Sequence, residues 1–197
     1  MLGAKLAGGN PANGRIENDF YATDPRAVEM LLLERHDFNL RDVLEPCVGS
    51  GTIADAIKKF SYGYARVTGI DIVDRGYPDT IVADFLSWKT EKQFDTIITN
   101  PPYSLASEFI ERCLDLLKID GQMAMFLKIQ FLEGQKRKEM YTKHPPKYIY
   151  VFRNRMPTWG GGQQFNPATG KRWATTFCNA WYVWQKGNHT EPVVRWL

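Results

Sequence analysis

The stretch Asp42-Val43-Leu44-Glu45-Pro46-Cys47-Val48-Gly49-Ser50-Gly51 decides the fold, because it joins a short strand to a glycine turn. Asp42-Val43-Leu44 predicts the strand, and a helix is predicted to follow over residues 52–60. Gly49 and Gly51 allow the backbone to turn tightly and to approach a ligand closely. The N–H groups at the start of the helix suit an anion such as a carboxylate. A Gly-x-Gly turn alone is a weak signal, so a ligand site here needs support from the rest of the chain.

Predicted strands and helices alternate on both sides of this turn. A helix begins at Thr23-Asp24-Pro25, where a capping residue precedes a proline, and runs through Leu32. Two more helices are predicted over residues 105–118 and 133–143. The predicted strands cover residues 42–44, 66–71, 80–83, 95–99, 123–131, 148–152 and 178–185.

This alternation predicts an α/β protein with a Rossmann-like sheet of seven mostly parallel strands and with helices on both faces. The last two strands are separated only by a Gly-rich loop, with no helix between them. The last strand is therefore expected to run antiparallel to its neighbours.

The composition indicates one globular domain. The chain has 197 residues, 44% of them hydrophobic and 24% charged, which is enough for a substantial core. We expect a flexible, Gly/Asn/Ala-rich arm over residues 1–18 and a single domain over residues 19–197. No apolar run is long enough to span a membrane and no signal peptide is visible, so a cytoplasmic protein without a membrane partner is predicted. The cysteines Cys47, Cys113 and Cys178 are far apart, which predicts free thiols and no metal site.

A second motif, Asn100-Pro101-Pro102-Tyr103, directly follows the apolar strand over residues 95–99. Neither proline can donate to a ladder, so the strand stops, and the turn lies where open parallel sheets bind ligands. The Asn100 side-chain oxygen and the carbonyls around the prolines can accept hydrogen bonds, and Tyr103 adds an aromatic face. A planar amino group would fit such a place. The alternative is a proline-rich turn that only ends a strand.

Acidic residues stand at the ends of the two strands that follow the glycine turn. Asp71 ends one strand, where a carboxylate can accept both hydroxyls of a ribose. Asp84 follows the next strand, where it can accept from an adenine amino group, with Phe85 beside the ring. Each residue alone could be an ordinary turn residue. Together with the glycine turn, they favour a nucleotide-like ligand.

The charge is unevenly distributed along the chain. Residues 136–197 carry eleven Lys/Arg and two Asp/Glu, whereas residues 1–135 carry fourteen and twenty. The basic part is also rich in aromatic residues, a combination that suits phosphates and unstacked bases. A solvated basic face over an aromatic-rich strand is the alternative.

The motifs Glu45-Pro46-x-x-Gly49-x-Gly51 and Asn100-Pro101-Pro102-Tyr103 together resemble the class I S-adenosylmethionine-dependent methyltransferases, in particular the DNA adenine-N6 branch. The resemblance covers residues 19 to about 185, and Thr23-Asp24-Pro25 is similar to the N-terminal cofactor motif of that branch. Small phage and prophage enzymes are the most similar, through Asp74-Arg75-Gly76-Tyr77 and Phe131-Leu132-Glu133-Gly134. The resemblance implies that this chain is located in the cytosol of a bacterium or of a phage-infected host.

The resemblance implies S-adenosylmethionine as the cofactor. It implies that Thr23 binds the methionine carboxylate and that Asp71 takes the ribose hydroxyls. The residues implied to line the methionine and sugar are Glu45, Pro46, Gly49 and Gly51, and those implied to hold the cofactor adenine are Asp84 and Phe85.

The resemblance also implies a catalytic turn, in which Asn100 and the Pro101 carbonyl accept from the target amino group, Pro102 stiffens the backbone, and Tyr103 stacks on the base. A base inside a duplex must be flipped out to reach such a turn. A nucleic-acid-contacting loop is expected at about residues 153–177. The candidates for the second aromatic wall are Trp159, Phe165, Trp173 and Phe177. The candidates for phosphate or base contacts are Arg153, Arg155, Lys171 and Arg172, with Lys136, Arg137 and Lys138 as an extension.

The predicted function is therefore methyl transfer to the N6 amino group of adenine in DNA, with short or relaxed sequence specificity because no separate recognition domain is visible. An RNA base N-methyltransferase is the first alternative, since RNA would suit the same basic, aromatic segment. A protein glutamine N-methyltransferase and a non-catalytic nucleic-acid-binding module with the same fold are further alternatives. The recognised sequence, the biological role and the oligomeric state are left open.

Overall fold

The computed structural model describes residues 20–160, 162, 164–165, 170–171 and 177–197, and these residues alternate strands and helices. The predicted arm over residues 1–18 lies outside the described residues. In chain order the elements are β1 (Tyr21–Thr23), α1 (Pro25–Glu34), β2 (Asp42–Glu45), α2 (Thr52–Phe60), β3 (Arg66–Asp71), β4 (Ile81–Val82), β5 (Phe94–Thr99), α3 (Ala106–Leu116), β6 (Leu117–Lys128), α4 (Lys138–Lys143), β7 (Tyr148–Val151), β8 (Thr158–Gly160), β9 (Asn179–Gln185) and β10 (Val193–Trp196).

The central sheet has the order β10-β7-β9-β6-β5-β2-β3-β4. β2 pairs in parallel with β3 and β5, and β5 pairs in parallel with β6. β9 is antiparallel to both β6 and β7, which confirms the predicted direction of that strand. After β2 the chain forms β3 and β4 on one side of β2, and it then crosses to form β5 on the other side. The crevice at the carboxyl ends of β2 and β5 is therefore the topological switch point of the sheet.

Two pairings were not predicted from the sequence. β10 adds an eighth strand at one edge of the central sheet, parallel to β7. β1 and β8 form a separate antiparallel ribbon, in which Ala22 lies opposite Trp159. This ribbon brings the residues just before α1 next to the segment that follows β7.

The core lies on both faces of the sheet, because successive strand residues point to opposite sides. Val43 and Ile98 pack with α1 and α2 on one face. Leu44 and Ile97 pack with α3 and Met140 of α4 on the other face. The prediction of helices on both faces is thus confirmed. Among the described residues, no helix is long and apolar enough to cross a membrane.

Local chemistry explains where α1 and α2 begin. The carboxylate of Asp24 caps α1 by accepting from the Arg26 N–H at 2.9 Å, and Pro25 occupies the first helical position. α2 begins after Gly51, whose φ of 90° is in a region that favours glycine. The sequence had predicted both starting points.

Two predicted elements are shorter than expected, and one strand is shifted. β6 starts at Leu117 rather than at residue 123 and ends at Lys128, where its last partner on β9 is Asn179, and a 3₁₀ turn follows. The predicted helix over residues 133–143 is α-helical only in α4, because Gly134 with φ 113° interrupts its start. The predicted strand over residues 80–83 shrinks to β4, which lies at the sheet edge and pairs with β3 through two residues.

Candidate active site

A cavity opens at the carboxyl ends of β2, β3 and β5, at the switch point of the sheet. It encloses about 120 Å³ that the centre of a water molecule can occupy. Its lining brings together most of the cofactor residues expected from the sequence: Thr23, Glu45, Pro46, Gly49, Asp71, Asp84 and Phe85. Asn100 and Pro102 of the second motif line the same cavity. The two motifs that are far apart in the chain therefore meet at one place.

Two aromatic rings, those of Phe20 and Tyr77, pack directly against the glycine turn. A Cβ atom on Gly49 would lie 2.6 Å from the ring of Phe20, and one on Gly51 would lie 2.2 Å from the ring of Tyr77. Both glycines also have positive φ. A side chain at either position would need both an unfavourable backbone and a displaced ring. Phe20 was not among the residues singled out from the sequence, because a lone aromatic residue ahead of a helix carries no distinctive pattern.

Asp71 joins the glycine turn to the end of β3. Its carboxylate accepts from the Gly49 N–H at 2.9 Å and from the Val73 N–H at 3.0 Å. The Arg75 guanidinium lies 3.9 Å from the same carboxylate and stacks on Phe20 at 4.1 Å. An ionised carboxylate offers about four acceptor sites, so two main-chain donors leave capacity for further hydrogen bonds toward the cavity.

Glu45 is the least solvated acid of the site, with 1% of its surface exposed. Burial raises its pKa well above the ordinary range, the carboxylates of Asp71 and Asp55 raise it further, and a hydrogen bond from the Ala54 N–H opposes them. Its Oε2 atom has no hydrogen-bond partner within the described part of the chain. A buried carboxylate oxygen without a partner is costly, and a cationic group in the cavity would relieve that cost.

The other predicted cofactor residues occupy different depths of the site. Thr23 is buried at the end of β1, directly before the cap of α1. Asp84 is exposed, and its carboxylate already accepts from the Leu86 N–H at 3.0 Å. Phe85 is buried against Phe109, with 4.9 Å between the ring centroids, so it is also part of the core.

Asn100 has a defined orientation beside the cavity. Its side-chain NH₂ donates to the main-chain carbonyl of Tyr21 at 2.8 Å. A carbonyl can only accept, so the amide nitrogen of Asn100 must face Tyr21 and its Oδ1 is directed away from that contact. Tyr21 belongs to the ribbon of β1 and β8, and the motif is therefore oriented by a segment that the sequence did not connect to it. A main-chain acceptor has no side-chain signature from which this contact could have been predicted.

Tyr103 lies in the 3₁₀ turn that follows the two prolines. Its hydroxyl donates to Oδ1 of the buried Asn179 at 3.4 Å, and Asn179 donates in turn to the Met156 carbonyl at 3.3 Å. Burial raises the pKa of Tyr103, so the phenol is neutral at physiological pH. Lys128 places its Nζ 4.8 Å from the centroid of the Tyr103 ring and 3.8 Å from that of Phe177. Of the four candidates for a second aromatic wall, Phe177 is thus connected to Tyr103 through Lys128.

Of the other aromatic candidates, the structure describes Trp159 and Phe165. Trp159 is on β8 beside Ala22, and Phe165 is exposed. Trp173 and Arg172 lie outside the described residues. Two exposed basic candidates, Arg153 and Arg155, directly follow the carboxyl end of β7, at the edge of the sheet that holds the cavity, and Lys171 is also exposed.

The basic, aromatic segment divides its residues between several roles. Four of its aromatic residues are fully buried in the core: Tyr150, Trp181, Tyr182 and Trp184. Lys147 donates to the side chain of Gln185, and Lys186 donates to the Leu117 carbonyl. Both contacts lie at the edge of the sheet opposite the cavity. Arg137, expected to extend a basic surface, donates to the Glu133 and Phe131 carbonyls. The charge count therefore overstates the basic surface near the site.

Cys47 lines the cavity, but its thiol is not activated. Burial raises its pKa well above the ordinary range, and the charge of Asp71 raises it further. The described residues contain no group of acidic, His or Cys side chains that could hold a metal ion. The cavity lining supplies oriented acceptors, carboxylates and aromatic faces.

Comparisons with known proteins find similarity to methyltransferases. No protein-family model matches the chain. The chain is 26% identical to the type II methyltransferase M.CvrRI of Paramecium bursaria Chlorella virus XZ-6E over 148 residues, which cover 61% of this chain and 39% of the relative. It is 30% identical to the tRNA1(Val) (adenine(37)-N6)-methyltransferase of Glaesserella parasuis over 94 residues, 39% of this chain and 40% of the relative. The chain thus matches about two-fifths of the length of each of these curated relatives.

Solved structures give the fold. A methyltransferase subunit of a type I restriction-modification system from Streptococcus thermophilus superposes with a TM-score of 0.62 at 16% identity, covering 89% of this chain and 47% of that chain. An S-adenosylmethionine-dependent O-methyltransferase from Thermotoga maritima superposes with a TM-score of 0.58 at 14% identity, covering 87% of this chain and 69% of that chain. The chain has the class I fold of the S-adenosylmethionine-dependent methyltransferases.

Proposed function

We propose that the chain is an S-adenosylmethionine-dependent methyltransferase that acts on the N6 amino group of adenine in DNA. The observation that carries the proposal is the orientation of Asn100, whose Oδ1 is left to accept a hydrogen bond beside the cavity. The similarity to the type II methyltransferase M.CvrRI supports the reaction class. Short or relaxed sequence specificity, as expected from the sequence, is part of the proposal.

The lining of the cavity fits the proposed cofactor. Glu45 presents a buried carboxylate oxygen without a partner, which an ammonium group would satisfy. Asp71 is held by the main chain with acceptor capacity to spare, which suits a pair of hydroxyl groups. When bound, S-adenosylmethionine supplies a methyl group on a sulfonium, which leaves as a neutral thioether. Thr23 would contact the cofactor carboxylate, Gly49 and Gly51 would allow close approach of the backbone, and Asp84 and Phe85 would hold the cofactor adenine.

Asn100 would overcome the poor nucleophilicity of an exocyclic amino group. The lone pair of that nitrogen is delocalised into the base. If Asn100 Oδ1 and the Pro101 carbonyl both accept N–H bonds, the nitrogen is drawn toward a tetrahedral shape and the lone pair becomes available. The same oxygens stabilise the positive charge that develops on nitrogen as the new C–N bond forms. The raised pKa of Cys47 agrees with direct transfer, since no thiolate is available to carry the methyl group.

Tyr103 would hold the flipped base. Its hydroxyl is held by Asn179, so the ring has a fixed position next to Asn100 in the same turn. Stacking on an aromatic ring contributes about 1–3 kcal/mol per base. The exposed Arg153 and Arg155 follow the carboxyl end of β7 at the same edge of the sheet, and together with the exposed Lys171 they would contact phosphates.

RNA is the second candidate substrate, and one specific observation favours it. The tRNA1(Val) methyltransferase that resembles part of this chain modifies an adenine at N6, according to its name. The chemistry at Asn100 would be the same on either polymer. The matched segment is shorter than that shared with M.CvrRI, 94 against 148 residues, and we therefore place DNA first.

The test is a labelling experiment with tritiated S-adenosylmethionine. The protein is incubated separately with duplex DNA, single-stranded DNA, tRNA and a protein extract, and an Asn100→Ala variant is run in parallel. The proposal expects label in DNA that is released on digestion as N6-methyladenine, and little label with the variant. Label only in tRNA would move the substrate to RNA. Label in none of the polymers, or only in protein, would refute the proposed function.

A further inference from the structure

Lys128 occupies an unusual place beside the proposed catalytic turn. It is the last residue of β6, and its register partner on β9 is Asn179, the residue that holds the Tyr103 hydroxyl. Its side chain is half-buried. The main chain of Lys128 thus belongs to the pair of strands, β6 and β9, that positions Tyr103, and its ammonium can reach the Tyr103 ring.

The Lys128 ammonium lies against two aromatic rings. Nζ is 4.8 Å from the Tyr103 centroid and 3.8 Å from the Phe177 centroid, both within the range of cation–π attraction. Since both distances end at one nitrogen, the two centroids are within about 9 Å of each other. Two rings that hold a planar base between them need a separation of about 7 Å, twice the contact distance of carbon atoms. The roughly 7 Å that a planar base requires lies within this upper limit, and the ammonium lies against both rings.

We propose that Lys128 is a placeholder in the target-base slot, which is the space between the Tyr103 and Phe177 rings that would receive the adenine. In the protein without substrate, its ammonium fills the space between Tyr103 and Phe177, and it leaves when an unstacked adenine enters. This inference rests on the proposed function, and it assigns Phe177 as the second wall of the slot. Lys128 acts on substrate entry and takes no part in the transfer of the methyl group.

The energies of the two occupants are comparable. A cation over an aromatic ring is favoured about twofold to fivefold when exposed and about thirtyfold when desolvated. Stacking of a base on an aromatic ring strengthens binding about fivefold to 150-fold. An entering adenine can therefore displace the ammonium, but it loses part of its stacking energy in doing so. Removal of the charge should strengthen insertion of the base while leaving contacts to the phosphates in place.

The test compares two strands with equal numbers of phosphates. One is an oligothymidylate with a single central adenine, and the other carries an abasic site at that position. Affinities are measured by fluorescence anisotropy with S-adenosylhomocysteine present, so that no transfer occurs. The ratio of the two dissociation constants reports insertion of the base. In Lys128→Met, which keeps the length of the side chain and loses its charge, the ratio in favour of adenine should rise roughly fivefold to thirtyfold. Lys143→Met, at an exposed lysine of α4, is the matched control and should leave the ratio unchanged.

A second measurement follows the ammonium directly. Ring currents from Tyr103 and Phe177 should shift the Lys128 ε-methylene protons upfield in the NMR spectrum of protein labelled with ¹³C-lysine. The adenine strand should abolish this shift, and the abasic strand should leave it. An unchanged or lowered affinity ratio in a folded Lys128→Met protein, or a shift that persists with adenine bound, would overturn the placeholder. If the unaltered protein transfers no label to any DNA or RNA, the proposed function itself has failed, which is a different result.

Discussion

Replacement of Glu45 by glutamine should raise the unfolding free energy of the ligand-free protein and weaken the binding of the cofactor. Glu45 is 1% exposed, and its Oε2 has no partner among the described residues. Its pKa is raised well above the ordinary range, chiefly by burial. A glutamine keeps an oxygen for the Ala54 N–H and removes the group that must ionise in an apolar surrounding. The difference in unfolding free energy between the variant and the unaltered protein therefore reports the cost of ionising Glu45.

The sign and size of the effect follow from proton linkage. Because the pKa is raised in the folded state, the native protein retains a proton that the unfolded chain releases. The stabilisation from this group is complete below the unfolded pKa of about 4.3 and is lost as the pH rises to the folded pKa. In that interval, the unfolding free energy of Glu45→Gln should gain about 1.4 kcal/mol per pH unit over the unaltered protein. For a chain of this size the gain corresponds to a Tm difference of about 3–6 °C per pH unit.

The assay is thermal unfolding between pH 4 and 8, with and without S-adenosylmethionine. Without ligand, the Tm of Glu45→Gln should rise above that of the unaltered protein as the pH increases. At a concentration 100-fold above its Kd, the cofactor stabilises the unaltered protein by about 2.7 kcal/mol. A lost hydrogen bond to a charged group is worth about 1.5–3 kcal/mol, so the variant should gain only about 0.3–1.3 kcal/mol.

The control is Glu91→Gln, at an exposed acid, which should follow the unaltered protein at every pH. Two results would refute the reasoning about Glu45. One is a Tm difference that does not change with pH, which would mean that the buried carboxyl has no raised pKa. The other is equal stabilisation of both proteins by the cofactor, which would mean that Oε2 has no role in binding.

Three further substitutions test the site. Asn100→Ala should lower kcat about 10²–10³-fold with little change in the calorimetric Kd of S-adenosylmethionine, and near-normal turnover would exclude the amino-group mechanism. Cys47→Ala should keep its methyl transfer rate, since the raised pKa of the thiol leaves no nucleophile, and loss of transfer in a folded variant would contradict this. Gly51→Ala should lower the unfolding free energy by about 2–5 kcal/mol in denaturant titrations, because a Cβ at φ 90° meets the Tyr77 ring. Gly63 has φ 83° and no atom within 4 Å of an added Cβ, so Gly63→Ala has the backbone strain without the collision and should cost only about 1–2 kcal/mol. Equal losses in both variants would show that the contact with the Tyr77 ring does not matter.

Local patterns predicted the elements that depend on local causes. The bounds of α2 and β3 agree with the prediction, because a glycine turn and an apolar run are each contained in a few residues. The extent of β6 was wrong, since a strand ends where its partner ends, and its partner β9 is more than 50 residues away in the chain. The same reason explains why β10 was not predicted: its four residues are exposed, and only the edge of β7 makes them a strand.

The candidate site divides in the same way. Glu45, Asp71 and Asn100 could be selected from the sequence because each stands at the carboxyl end of a strand, and the carboxyl ends of parallel strands meet at one edge. The contact that orients Asn100 could not be predicted, because it joins the main chain of β1 to the motif. Asn100 is useful as an acceptor only if its nitrogen is engaged elsewhere, and the Tyr21 carbonyl engages it. Any change that separates β1 from β8 should therefore release the Asn100 amide and reduce turnover without altering a single residue of the motif.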